Sequence, residues 1–206
     1  MIGKVVTSGT FSLDGQDFDV DNNIWLVGDE REVLVIDAAH DHRPILEGIG
    51  SRRTVGIVAT HGHNDHINAA GALADRVDAP IWLHPADRPL WDQVYPSRAP
   101  DAALADGLGF EVGGLSLRVI HTPGHTPGGC SLHGSRLGVV FTGDTLFRGG
   151  PGATGRSFSD FPTIIESIRD RLLTLPPETR ALPGHGDETV IGEEASHLDE
   201  WIARGR

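Results

Sequence analysis

Cysteine is almost missing from this chain of 206 residues: Cys130 stands alone, so no internal disulfide can form and stability must come from a buried core. Lysine is as scarce, with Lys4 the only one, and every other Lys/Arg position is arginine. No apolar run approaches the roughly 20 residues that a membrane span needs, which excludes a helical membrane protein. Met1 to Thr10 lack a basic stretch followed by an apolar one, so no secretory signal is readable and the expected compartment is the cytoplasm. No run of basic residues interrupts a balance of 29 acidic against 17 basic side chains, a net charge of -12. Such a surface repels polyanions, so neither a nucleic acid nor a membrane is expected as partner, and a small-molecule substrate is. No short repeat and no low-complexity tract is visible, and nothing in the sequence marks an oligomeric state. What is left is 38% hydrophobic residues and a mean hydropathy of -0.17, read as one globular domain spanning residues 1–206.

The hydrophobic pattern predicts an α/β architecture. Asn23 to Val27 and Glu32 to Ile36 are short apolar runs separated by a turn and, with Val5 to Thr7, suggest an antiparallel opening sheet. Val55 to Ala59 is a continuously apolar strand of the kind buried on both faces. Helical spacing predicts helices over Arg43 to Arg52, Asp65 to Val77, Thr163 to Leu175 and Gly192 to Ala203. Further strands are expected at Ile81 to Leu83, Phe110 to Val112, Leu115 to Ile120 and Leu137 to Thr142, with a long loop from Pro85 to Pro100. Strands followed by helices alternating with strands, twice over, suit an α/β sandwich better than a bundle or a barrel.

The chemistry concentrates in Thr60-His61-Gly62-His63-Asn64-Asp65-His66, between the buried strand and the next helix. Three imidazoles and a carboxylate within six residues oppose folding unless they share a purpose. His61 and His63 can project the same way from a turn while Asp65 and His66 point to a neighbouring position, so one turn can feed two metal ions. His125 in Thr122-Pro123-Gly124-His125-Thr126-Pro127-Gly128, Asp144 in Thr142-Gly143-Asp144-Thr145 and His185 in Pro183-Gly184-His185-Gly186 each follow an apolar run and sit beside glycines. An all nitrogen and oxygen donor set accepts zinc, iron or manganese.

These motifs, in this order and over nearly the whole chain, resemble the metallo-β-lactamase superfamily, and within it the glyoxalase II-like hydrolases. The resemblance implies a four-layered αββα sandwich. It implies two divalent metal ions, zinc first and iron or manganese as alternatives, the first held by His61, His63 and His125, the second by Asp65, His66 and His185, with Asp144 bridging. Zinc β-lactamases commonly carry a cysteine where this chain has Asp144, and flavodiiron proteins a glutamate where it has His63, so both branches are disfavoured.

Two cations about 3.5 to 4 Å apart can share a hydroxide whose parent water has its pKa lowered toward about 7, and Asp65 is the expected catalytic carboxylate that accepts a hydrogen bond from it while ligating the second metal. A thioester of a low-molecular-weight thiol suits such a site, because a thiolate leaves without a strong general acid. Glyoxalase II proteins typically carry a C-terminal helical extension that helps hold glutathione, and the chain stops at Arg206, which leaves the carrier open between glutathione and another thiol such as mycothiol. The same resemblance keeps two alternatives: a persulfide dioxygenase with one iron on the residues matching His61, His125 and Asp144, and a lactone hydrolase. A non-catalytic binding module would have shed a ligand, and none is missing. Arg148 and Arg156, flanking a glycine-rich loop, are candidates to meet an anionic substrate group. His84 is a candidate to support the site from behind, His40 and His42 are expected in a solvated loop, His121 to order the His125 loop, Asp37 to bond a turn, and Cys130 to be a buried apolar group.

Overall fold

The computed structural model describes residues 1–205. Its first strands, β1 (Ile2–Leu13) and β2 (Gln16–Gly28), make one long antiparallel hairpin. Asp14 and Gly15 close it, both at positive φ (53° and 72°), as a two-residue turn matched to strand twist requires. This hairpin reaches well beyond Val5 to Thr7 and Asn23 to Val27. In its outer half Phe11, Leu13 and Val20 are half-buried or buried and alternate with exposed polar residues, a short pattern that marks the strands beyond the expected bounds.

Next come β3 (Glu32–Ile36), α1 (His42–Ile49), β4 (Arg53–Val58), α2 (Asn64–Ile67), α3 (Ala70–Val77), β5 (Ile81–Leu83), α4 (Arg88–Val94) and β6 (Ala102–Ala103). The strands form one sheet in the order β1-β2-β3-β4-β5-β6, antiparallel through β3 and parallel from β3 to β6. A second sheet, β14-β13-β10-β9-β8-β7, uses β7 (Gly109–Val112), β8 (Leu115–His121), β9 (Cys130–Gly134), β10 (Val139–Gly143), β13 (Arg180–Pro183) and β14 (Thr189–Val190). A small hairpin of β11 (Leu146–Phe147) and β12 (Gly150–Pro151) precedes α5 (Phe161–Ser167), and α6 (Ile191–Ala195) and α7 (Leu198–Arg204) follow β14.

Alternation along the strands decides the layers. Ile24, Leu26, Val33, Val35 and Ile57 face one way and pack on Ile45, Leu73 and Trp91 of α1, α3 and α4. Their neighbours Trp25, Val27, Leu34, Ile36 and Val58 face the other way and meet Phe110, Leu117, Val119, Leu132 and Phe141 of the second sheet. Val140 and Ala181 on that sheet's far face are covered by Ile164, Ile168, Leu172 and Trp201. Each such fully buried aliphatic side chain contributes about 1.5–3 kcal/mol. The result is the helix–sheet–sheet–helix sandwich that the resemblance implied, and among the described residues no helix is long and apolar enough to cross a membrane.

Several element boundaries differ from expectation, among them the helix over Thr163 to Leu175, which is α5 (Phe161–Ser167) followed by a wider π turn over Ile168–Leu172. The helix over Asp65 to Val77 is two helices, because the Ala69 N–H bonds Ala38 O at 3.0 Å and leaves the helical ladder. The stretch Pro85 to Pro100 holds a single tight turn (Pro85–Asp87) and α4, since Pro85 and Pro89 fall in first turns where no N–H is needed and Leu90 and Trp91 are buried. The closing helix is likewise split, into α6 and α7.

The segments leaving β3, β4, β8, β10 and β13 at their carboxyl ends carry Asp37, His61 to His66, His125, Asp144 and His185 respectively. All meet at one edge of the sandwich, where open α/β sheets present ligand sites.

Candidate metal centre

The chain brings together all seven residues expected as ligands. His61 Nε2 lies 3.1 Å from His63 Nδ1, which lies 3.0 Å from His125 Nε2. Beside this triad, His66 Nε2 is 3.1 Å from His185 Nε2, and Asp65 Oδ2 is 3.5 Å from the former and 3.3 Å from the latter. Asp144 stands between them, with Oδ2 3.6 Å from His125 Nε2 and 3.4 Å from His185 Nε2, and Oδ1 3.3 Å from His66 Nε2. Edges of 3.0 to 3.6 Å are those of donor atoms about 2.0–2.2 Å from a common centre.

The donor set fits two cations on a second count. Among the described residues, the buried side-chain polar atoms without a hydrogen-bond partner are Thr54 Oγ1, His63 Nε2, Asp65 Oδ1 and Asp144 Oδ1. Three of those four belong to this cluster, and Asp144 Oδ1, 3.3 Å from His66 Nε2, is the one aimed at the donor atoms, where an orphaned polar atom is costly unless something else satisfies it. Gly184 shows how tightly the ligands are packed: a Cβ there would lie 2.5 Å from Asp144 Oδ1 and from His66 Cε1.

The outer nitrogens of His61, His66, His125 and His185 are held, which fixes the orientation of those rings. His125 Nδ1 donates to Ala153 O at 2.9 Å and His185 Nδ1 to Asp21 O at 2.8 Å. Asp37, which closes β3 at φ 59°, serves both triads. Its Oδ2 accepts from His66 Nδ1 at 3.0 Å and from the Thr60 hydroxyl at 2.8 Å, and that hydroxyl is 3.1 Å from His61 Nδ1. Its Oδ1 accepts from Thr60 N at 2.7 Å. Asp37 therefore does more than bond a turn: it orients a candidate ligand of each triad. Its signal in the sequence was a lone acid ending an apolar strand, the setting shared by His125 and Asp144.

Asp87 had no such signal. It is buried in the turn before α4, and its Oδ2 accepts from Gly62 N (2.8 Å) and Thr126 Oγ1 (2.7 Å), its Oδ1 from Gly128 N (2.5 Å). It thus clamps the loop of His61 and His63 to the loop of His125. Burial pushes its carboxyl above the ordinary value against the pull of those three donors.

The two triads differ electrostatically. Burial, with its histidine neighbours, holds His61 well below the ordinary imidazole value and His63 at about 3, so both offer neutral lone pairs. Burial opposes charge on His66 and His185 too, but Asp144 and Asp65 outweigh it, raising His66 well above the usual value and His185 to about 10. Burial likewise fails to neutralise Asp144, whose carboxyl His66 and His185 keep well below the usual range. A cation at Asp65, His66 and His185 has to displace those protons, so its affinity rises with pH.

Above the cluster a cavity of about 210 Å³ is walled by Phe11, Val20, Phe147 and Ala153, with His63, Asp65, His125, Asp144 and His185 at its base. Neither candidate arginine lines it. Arg148 pairs with Asp187 at 3.5 Å, and Arg156 lies 4.8 Å over the Phe18 ring while donating to Gln16 Oε1 at 2.9 Å. His84 stacks on His121 with ring centroids 4.2 Å apart, and neither is among the ligand atoms. His121 does order its loop, through Nε2 to Pro127 O at 3.0 Å. Cys130 is buried, and burial raises its thiol far above the ordinary value.

The model of the metallo-beta-lactamase superfamily matches residues 18–185. Hydroxyacylglutathione hydrolase GloC of Haemophilus influenzae is 33% identical over 187 residues, covering 83% of this chain and 87% of that protein. Among solved structures, TTHA1623 in a di-iron-bound form superposes with a TM-score of 0.74 at 32% identity, covering 85% of this chain and 93% of that one. ETHE1 from Myxococcus xanthus superposes with a TM-score of 0.76 at 28% identity, covering 93% and 83%.

Proposed function

Because the chain belongs to the metallo-beta-lactamase superfamily, we propose that it is a metal-dependent hydrolase with two metal ions, acting on thioesters of a low-molecular-weight thiol. The observation that carries the reading is the completeness of both donor triads around one bridging carboxylate. Similarity to a hydroxyacylglutathione hydrolase supports the thioester.

His61, His63 and His125 would hold the first cation, Asp65, His66 and His185 the second, and Asp144 would bridge them. Bound there, zinc ions would supply an acidified water and a Lewis acid for the substrate carbonyl. The two oxygens of Asp65 divide the work, since Oδ2 lies among the second-triad nitrogens, while Oδ1 is buried without a partner and can take the proton of the attacking water. Asp37 and Thr60 keep His61 and His66 in the tautomers whose inner nitrogens are free to ligate. Phe11, Val20, Phe147 and Ala153 receive apolar parts of the substrate and keep bulk water from the reacting carbon.

The test quantifies zinc, iron and manganese per chain on protein purified without chelator, and assays the same sample with S-lactoylglutathione under air. Near two metals per chain with cleavage is the expected result. Near one iron, no cleavage and oxygen uptake with a persulfide would replace this reading by the dioxygenase. Two metals with cleavage of lactones alone would replace the thioester.

A further inference from the structure

His40 plays no part in the chemistry above, yet it is held with unusual care. Its φ is 57°, in the left-handed region that residues with a side chain seldom adopt, and such outliers persist only where the surroundings over-determine them. Gly9 of β1 makes room for its ring: a Cβ at that position would lie 2.2 Å from His40 Nδ1.

Both ring nitrogens face amides whose orientation can be deduced. The His40 backbone N–H can only donate, so the Asn68 atom facing it is Oδ1. That turns Asn68 Nδ2 toward His40 Nδ1 at 3.2 Å and makes Nδ1 the acceptor. The ring proton then sits on Nε2, which donates to Asn22 Oδ1 at 2.8 Å. Asn22, fully buried, consequently presents its NH2 to Asp65 Oδ2 at 3.2 Å, with His66 Nε2 and His185 Nε2 at 3.3 and 3.5 Å. The same polarity follows from the other end, because an ionised carboxylate accepts and cannot donate.

We infer that Asn68, His40 and Asn22 form a directed hydrogen-bond chain that sets the rotation of the Asp65 carboxylate. It turns Oδ2 to the second metal position and leaves Oδ1 for the proton. Asn22 is a positioning residue here and not a ligand, since its carbonyl oxygen is committed to His40. The inference rests on the two-metal reading, and the two can fail separately.

The experiment uses the full chain, with zinc affinities of both sites measured by competition against a chromophoric chelator and the His40 tautomer read by nitrogen-15 NMR. In the wild type two zinc ions bind and the His40 proton is on Nε2. Asn22→Ala weakens the second zinc by about 10- to 100-fold and leaves the first unchanged, the usual size for loss of an outer partner of a ligand. His40→Ala, which touches no ligand, gives the same selective loss at smaller size, and stands in should Asn22→Ala not fold. A wild-type His40 protonated on Nδ1, or variants that hold the second zinc as tightly as wild type, would overturn the chain. A wild type that binds no second zinc would overturn the two-metal reading itself and the metal-directed role with it.

Discussion

Asp87→Ala removes a buried carboxylate that accepts from Gly62 N, Thr126 Oγ1 and Gly128 N at 2.5 to 2.8 Å. Each buried donor left unpaired costs about 1–3 kcal/mol. The Thr126 hydroxyl can rotate to another acceptor, and the vacated space can admit a water, so the three do not sum to the maximum. The expected loss is about 3–6 kcal/mol, a large share of the 5–15 kcal/mol typical of a domain. For a chain of this length each kcal/mol lowers the melting temperature by about 2–4 °C, giving a drop of about 6 to 24 °C. Asp87→Asn should cost less, because its amide oxygen still accepts on one side, while its NH2 faces a donor on the other. Chelator-treated protein, unfolded in urea and by calorimetry, separates this packing effect from any loss of metal. A fall of less than 1 kcal/mol for Asp87→Ala in that material would refute the reasoning.

Asp37→Asn leaves one acceptor for the three donors of Thr60 and His66, and it should weaken the second metal about 10- to 100-fold; zinc titration showing both affinities unchanged would count against it. Tyr95, the only tyrosine, donates to Ile67 O at 2.8 Å and accepts from Gly71 N at 3.0 Å, and burial raises its phenol above the ordinary value. The folded state then binds that proton more tightly than the unfolded state, whose value is about 10, so its stabilisation is intact below that pH and lost as pH rises through the folded value. Ultraviolet titration should show native Tyr95 ionising later than the unfolded chain, and coincident curves would contradict the burial. Cys130 should resist iodoacetamide at pH 8 until the chain unfolds, and rapid native labelling would show that its environment is misread.

The cluster of candidate ligands was legible in the sequence because each part of it is local. Within Thr60 to His66 the spacing alone sends two side chains one way and two another, and His125, Asp144 and His185 each repeat the setting of an apolar strand ending in glycine. The layers were legible for a similar reason, since Trp25 and Val27 alternate with Ile24 and Leu26 and so declare two faces. In the outer hairpin of β1 and β2 the full extent of the element was not read, because backbone pairing and the Asp14-Gly15 turn decide where it ends. Arg148 and Arg156 illustrate the converse: neighbours in sequence to a glycine-rich loop, they are drawn away by Asp187, Phe18 and Gln16. Asp37, Asp87 and His40 each looked like ordinary loop residues. Their roles depend on partners 18 to 41 positions away, such as Asn22 for His40 and Gly128 for Asp87. The sequence by itself determined which atoms can hold metal and which faces bury. Only the tertiary structure decided which carboxylates and amides aim those atoms, because a hydrogen bond depends on the distance and angle between groups brought together by folding, and neither is encoded in the spacing along the chain.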